Sequence, residues 1–92
     1  MFNREFRKAT IESMVAAMTG SQEQRLAWRG TLREVIETRG DRLQRDEINY
    51  LEGLIMILGD AGKLEEADAK IPDVYAEDWK TILEVVNHKM TA

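Results

Sequence analysis

The sequence predicts an all-α protein: a small antiparallel bundle of four main helices with a short helical turn before the last one. Apolar residues recur at helical spacing in four stretches, and capping residues or glycines bound these stretches. The one apolar run that would also suit a buried strand, 54–58, has no second strand candidate to pair with. No linker or low-complexity segment interrupts the chain, so residues 1–92 are predicted to form one helical domain.

The first helix is predicted over about 4–18. Asn3 is its expected N-cap, and Gly20 lies just past its carboxyl end. At 100° per residue the apolar residues cover one broad side of this helix. That side comprises Phe6, Ile11, Met14, Val15, Ala17 and Met18.

The second helix is predicted over about 22–39. Ser21 and Gln24 have the spacing of a capping box, in which each side chain satisfies a backbone N–H of the other residue. Gly40 is expected to end the helix. The residues predicted to be buried are Trp28, Leu32, Val35 and Ile36.

The third helix, predicted over about 42–59, is expected to be the centre of the fold because it contains the apolar run 54–58. Asp41 is a plausible N-cap, and Asp46 is an alternative start. Gly53 costs about 1 kcal/mol against alanine in a helix interior, which suggests a close approach of another helix. The inward stripe comprises Ile48, Leu51, Leu54, Ile55 and Leu58.

Three apolar residues fall outside these stripes and are predicted to form a hydrophobic interface. Met56 and Ile57 are surplus to the inward stripe of the third helix, and Leu26 lies off the stripe of the second. Gly30 lies on the same side of the helix as Leu26 and suggests a second close contact there. The surplus surface of the third helix is expected to meet the first helix, the segment 63–71 or another chain, and that chain is either another protein or a second copy of this one.

The end of the chain is predicted to form a short helical turn over 63–70 and a fourth main helix over about 74–90. Pro72 separates the two, because the residue before a proline is disfavoured in helical conformation. The stripe of the fourth helix is the most regular in the chain. It comprises Tyr75, Trp79, Ile82, Leu83, Val86 and Met90.

Charge is divided unequally along the chain. Residues 1–45 carry nine basic and six acidic side chains, whereas residues 46–92 carry four and eleven, for a total charge of -4. All eight arginines lie in the first half. The acidic second half has two interpretations. It aids solubility, or it presents a negative face to a basic partner, such as a nucleic-acid-binding protein that this protein regulates or blocks.

Arg25, Arg29 and Arg33 form a ridge at four-residue spacing on the second helix, beside Trp28. Like charges at this spacing repel each other, so the ridge is expected to meet negative charge from elsewhere. One alternative is ion pairing with the acidic second half of the same chain. The other is an external anion, either an acidic protein or a phosphate backbone. Overall acidity disfavours nucleic acid.

The residue inventory offers little for catalysis or for binding a cofactor. There is no cysteine, Ser21 is explained as a cap, Ser13 lacks a catalytic context, and the single histidine, His88, is expected at a helix end. No metal-binding or nucleophile motif occurs, so no cofactor or metal is predicted. The charged N-terminal residues and the short apolar runs predict a soluble, cytoplasmic protein without a signal peptide or membrane span.

These observations predict a non-enzymatic interaction module, a regulatory adaptor or an inhibitor that binds a protein partner. A homodimer is compatible with the same features. The alternative function is binding of an anion or nucleic acid through Arg25, Arg29 and Arg33. A third reading is an enzyme subunit whose chemistry resides in a partner chain.

Overall fold

The computed structural model describes residues 2–91, apart from the side chains of residues 61 and 88–91. The described chain contains helices joined by short loops and no strand, which confirms the predicted all-α class. Five α-helices occur, namely α1 (Arg4–Thr19), α2 (Gln22–Arg39), α3 (Arg45–Gly59), α4 (Leu64–Lys70) and α5 (Ala76–Thr91). Single 3₁₀ turns at Gly40–Arg42, Ala61–Lys63 and Asp73–Tyr75 join the later helices. The predicted helical turn is thus a helix of its own, α4.

The amino ends of α1 and α2 are capped as the sequence predicts. The Asn3 side chain accepts a hydrogen bond from the backbone N–H of Phe6 at 2.7 Å. The backbone N–H of Ser21 donates to Gln24 Oε1 at 2.9 Å, and the backbone N–H of Gln24 donates to Ser21 Oγ at 3.2 Å. Each contact satisfies an N–H group that has no partner within its helix.

The start of α3 differs from both predicted starts. Gln44 is the N-cap, and its backbone N–H donates to Glu47 Oε1 at 2.7 Å. Asp41 lies instead in a 3₁₀ turn, and Asp46 lies inside the first turn of the helix. The Glu47 carboxylate accepts this bond from the N-cap residue although Glu47 is almost fully buried, at 3% exposure. This buried carboxylate decides the start, and burial is not visible in local sequence.

α3 is the central helix, packed against α2, α4 and α1. Seven of its residues are buried, namely Glu47, Tyr50, Leu51, Gly53, Leu54, Ile57 and Leu58. The Tyr50 ring stacks on the ring of Tyr75, in the 3₁₀ turn before α5, with centroids 4.5 Å apart and planes 7° from parallel. Three residues of the apolar run, Leu54, Ile57 and Leu58, therefore lie in the core, whereas the two residues between Leu54 and Ile57 are half-buried.

The two helical glycines singled out in the sequence behave differently. A Cβ atom at Gly53 would lie 2.5 Å from Ile71 Cδ1 and 3.4 Å from the carbonyl oxygen of Ala67. The close approach predicted there is confirmed, and its partner is the α4 segment. A Cβ at Gly30 would meet nothing within 4 Å. The second close contact predicted beside Leu26 is therefore not made within the described part of the chain.

Long-range polar contacts hold the last helix against the rest of the protein. Arg7 of α1 donates to both carboxylate oxygens of Asp78 in α5 and to the backbone carbonyl of Val74. The indole N–H of Trp79 donates to Asp68 Oδ1 of α4 at 2.8 Å. α5 is thereby tied to both α1 and α4. Within the described residues, none of the helices combines the length and apolar character needed to cross a membrane.

Candidate functional site

α2 is the least buried of the first three helices. It buries one residue, Leu32, whereas α3 buries seven. Trp28, Val35 and Ile36 are half-buried at the edge of the core. Leu26 is 44% exposed, the largest exposed fraction among the exposed large apolar side chains. A helix covered this incompletely leaves apolar surface for another molecule.

A hollow of about 350 Å³ lies between α2 and the carboxyl end of α3, and we call it the α2–α3 hollow. Its lining comprises Leu26, Arg29, Ile55, Met56, Gly59, Asp60 and Lys63. Ile55 and Met56 are half-buried, so each keeps part of its apolar surface in solvent. The structure therefore brings together Leu26, Met56 and Arg29, three of the residues that the sequence singles out for binding.

The guanidinium of Arg29, a residue of α2, lies against the carboxyl end of α3. A Cβ atom at Gly59 would lie 3.1 Å from Arg29 Nε and 3.4 Å from its Cζ, so the glycine leaves room for the guanidinium. Arg29 Nε is shielded from solvent and has no hydrogen-bond partner. A cation at a helix carboxyl end is favoured by the helix dipole. The guanidinium is thus positioned without being neutralised.

The local charge of the hollow is opposite to that of the whole chain. Arg29 and Lys63 supply two positive charges and Asp60 supplies one negative charge. One Asp60 oxygen already accepts a hydrogen bond from the backbone N–H of Gly62 at 2.8 Å. The hollow therefore carries a local excess of one positive charge on a protein of net charge -4.

The arginine ridge is not paired within the described part of the chain. Arg25, Arg29 and Arg33 make no ion pair or hydrogen bond through their side chains there. Arg25 Nε is shielded from solvent like that of Arg29, whereas the Arg33 side chain is exposed. Internal ion pairing with the acidic second half, one of the two predicted alternatives, does not occur among these residues. Of the three arginines, only Arg29 lines the α2–α3 hollow.

Trp28 does not belong to the same site. Its indole N–H donates to the Met14 sulfur of α1 at 3.1 Å. The tryptophan borders a different hollow, of about 220 Å³, together with Ser13, Ala16, Ala17 and Gln24. Trp28 therefore lies between α2 and α1, whereas Arg29, one residue later, lies against α3.

Ile57 is not available as an interface residue. Its side chain is 2% exposed and belongs to the core, whereas Met56, one residue earlier, lines the α2–α3 hollow. Successive residues of a helix are rotated by 100°, so one can face the core while its neighbour faces the edge. The prediction that both residues contribute to the interface was wrong for Ile57.

A further hollow, between α1 and α5, was not predicted from the sequence. It is open, has a volume of about 520 Å³, and is lined by Arg4, Arg7, Lys8, Ile11 and Asp78. The hydrogen bond from Arg7 to Asp78 raises the pKa of the arginine. Pairing across 71 positions leaves no local signal that would have identified it. Lys63 was missed for the same reason, since its proximity to Arg29 depends on how α2 packs against α3.

Tyr50 is a buried polar group without a partner. Its side chain is fully buried, and its hydroxyl oxygen has no hydrogen-bond partner among the described residues. Burial raises the pKa of Tyr50 far above its ordinary value, and Asp78 adds to the increase. No group of three or more histidine or acidic side chains is placed to hold a metal ion in the described part of the chain. The His88 side chain lies outside the described residues.

The fold and this surface define a small all-α protein with a mixed apolar and basic hollow between two helices. Comparison of the chain with protein-family models, with curated proteins and with solved structures gives no match.

Proposed function

We propose that this protein is a small non-enzymatic interaction module, an adaptor or inhibitor that binds a protein partner through the α2–α3 hollow. The observation that carries the proposal is the meeting of Leu26 and Met56 at one surface hollow. These residues come from different helices, and each is apolar surface that the core does not fully cover. Apolar surface with a polar rim is the usual composition of a protein interface.

The shape of the hollow also supports this function. It is a shallow depression beside an incompletely buried helix, which suits a side chain or a short segment of a partner protein. Ile55 adds a third apolar wall, and Arg29 and Lys63 supply the polar rim. Arginine is one of the residue types that most often contribute strongly to the binding energy of a protein interface.

Affinity capture from the native host tests the proposal with three forms of the protein. The wild type and Val74→Lys are expected to retain the same partner, and Leu26→Lys is expected to lose it. Val74 is the matched control because it is 40% exposed and does not line the hollow. Equal retention of every captured protein by Leu26→Lys would contradict the proposal. Sedimentation velocity of the purified protein tests the homodimer, since a strict monomer of 10.6 kDa at high concentration excludes it.

A second candidate function is anion or nucleic-acid binding through Arg25, Arg29 and Arg33. The lack of ion pairs between these arginines and other described residues favours it. The net charge of -4 and the location of only one of the three arginines in the hollow make it the weaker candidate. A single-stranded oligonucleotide titrated at several salt concentrations tests it. Binding that weakens steeply with salt and is lost in the triple Arg→Gln variant would support it.

A further inference from the structure

We infer that the α2–α3 hollow binds an acidic–apolar peptide segment, in which an aspartate or glutamate lies beside a leucine, isoleucine, methionine or aromatic residue. The inference rests on the proposed function and names the chemistry of the partner. The apolar side chain of the segment packs among Leu26, Ile55 and Met56. Its carboxylate lies against the guanidinium of Arg29, with Lys63 contributing a second positive charge.

The first argument is the unfilled hydrogen-bonding capacity of Arg29. A guanidinium presents five N–H donors, and none of those of Arg29 has a partner in the described part of the chain. Its Nε is enclosed against Gly59, so the group is fixed in place while its charge remains unpaired. A fixed guanidinium loses little conformational freedom when it binds a planar carboxylate through two hydrogen bonds.

The second argument is the sign of the local charge. With Arg29 and Lys63 opposed by Asp60 alone, the hollow favours a negatively charged group although the protein as a whole is acidic. Charge complementarity of this kind selects between partners and raises the association rate. It favours an acidic segment at this hollow, whereas the acidic second half of the sequence predicts a basic partner.

The third argument is the apolar surface immediately beside the charge. Leu26 is 44% exposed, and the exposed parts of Ile55 and Met56 lie in the same hollow. A free phosphate or an isolated carboxylate would leave this surface in water. Methionine is flexible and polarisable, so Met56 can adjust to apolar side chains of different shape. The ligand that uses both features is a peptide segment that carries a carboxylate and an apolar group.

Selection of short random peptides displayed on phage tests the inference against the intact protein. The expected peptides are enriched in an acidic residue beside an apolar one. A synthetic peptide of this class is expected to bind Arg29→Gln about tenfold more weakly than the wild type, because a charge-assisted contact is lost. Arg42→Gln is the matched control, since Arg42 is exposed and lies outside the hollow. It is expected to bind as the wild type does.

Exchanging the charges of the protein and the peptide tests the same contact independently, in case Arg29→Gln alters the fold. The Arg29→Glu variant is expected to reject the acidic peptide and to bind the same peptide with its acid replaced by lysine. Circular dichroism verifies that both variants stay helical. Binding of the acidic peptide is also expected to weaken with added salt, because the contact is electrostatic and at the surface.

The possible failures are distinguishable. Peptides that need Leu26 but carry no acid, or that bind Arg29→Gln as tightly as the wild type, overturn the inference and leave the proposed function in place. If every selected peptide binds Leu26→Lys as tightly as the wild type, the result contradicts both the inference and the proposed function. An oligonucleotide or a second copy of the chain that displaces the acidic peptide, with the same dependence on Arg29, assigns the hollow to that occupant and overturns the inference.

Discussion

Arg7 of α1 and Asp78 of α5 form a two-pronged ion pair. Arg7 Nε lies 2.8 Å from Asp78 Oδ2, and Arg7 Nη2 lies 3.0 Å from Oδ1. The same guanidinium donates to the carbonyl oxygen of Val74 at 3.1 Å and lies 5.1 Å from the centroid of the Tyr75 ring. The ion pair joins two residues that are 71 positions apart in sequence, and it holds α1 against α5.

We expect Asp78→Asn to lower the free energy of unfolding by about 2 kcal/mol, in the lower half of the range for hydrogen bonds to charged groups. The figure takes account of partial solvent screening, since the two side chains are 29% and 13% exposed. Urea denaturation followed by circular dichroism measures the change. Glu77→Gln is the control, because Glu77 is exposed and adjacent to Asp78. Equal losses in the two variants would show that the ion pair contributes nothing specific.

Replacement of Tyr50 by phenylalanine is expected to stabilise the protein by about 1 kcal/mol. The Tyr50 hydroxyl is buried and has no hydrogen-bond partner in the part of the chain that the structure describes, and such a group costs its full desolvation energy. Phenylalanine retains the stacking on Tyr75 and removes the unpaired oxygen. Thermal and urea unfolding measure the change. Destabilisation by Tyr50→Phe would mean that the hydroxyl makes a contact that contributes to stability.

The same tyrosine gives a prediction for alkaline pH. Burial raises the pKa of Tyr50 in the folded state, so the folded protein holds the phenol proton more tightly than the unfolded chain does. This difference leaves the free energy of unfolding unchanged below the unfolded pKa of about 10 and lowers it as the pH rises above that value. Unfolding measured between about pH 8 and 11 should show this decline in the wild type and a shallower one in Tyr50→Phe. Parallel curves would contradict the assignment.

We expect substitution by alanine to have different effects on stability at Gly30 and at Gly53. Gly30→Ala should stabilise the protein by about 1 kcal/mol, because alanine favours the helix and the space at Gly30 is open. Gly53→Ala should not gain this energy, because its Cβ would lie 2.5 Å from Ile71 Cδ1.

The Ile71→Val substitution removes that obstructing methyl group and tests the explanation. Gly53→Ala should be more favourable in the Ile71→Val background than in the wild type, and the difference is obtained from a double-mutant cycle. Additive effects of the two substitutions would show that Cδ1 of Ile71 is not what opposes the alanine.

Replacement of Arg25, Arg29 and Arg33 together by glutamine should change the free energy of unfolding by no more than about 1 kcal/mol. The lost interaction of Arg29 with the end of α3 and the lost packing of the arginine stems are partly offset by relief of repulsion along the ridge. Urea denaturation at low and high salt measures the change. A much larger loss at low salt would indicate that these arginines pair with acidic residues in solution.

The sequence alone predicts much of the helical structure, because helix starts and ends depend on nearby residues. Asn3 and the pair Ser21 and Gln24 cap their helices as predicted, and Gly53 marks a close approach. The prediction failed at the start of α3, where the cap relies on the buried carboxylate of Glu47. Burial depends on the surroundings in three dimensions, which local patterns do not specify.

The candidate site was predicted only in part. The sequence identified Leu26, Met56 and Arg29 as residues without an assigned place in the core, but it also grouped them with Trp28 and Ile57. The structure separates these two, because Trp28 lies against α1 and Ile57 lies in the core. Neighbouring helical positions differ by 100°, so a modest rotation of a packed helix decides which of them reaches the surface.

By itself, the sequence determines the all-α class, the approximate extent of each helix and the division of charge, since these follow from periodicity, capping and composition. Only the tertiary structure decides that Arg29 of α2 lies against the end of α3 with no partner among the described residues, and that Leu26, Met56 and Lys63 line the same hollow. The physical reason is that α2 contributes residues 26 and 29 and the α3 region contributes residues 56 to 63. Their proximity depends on helix packing, which sums many weak contacts across the whole chain.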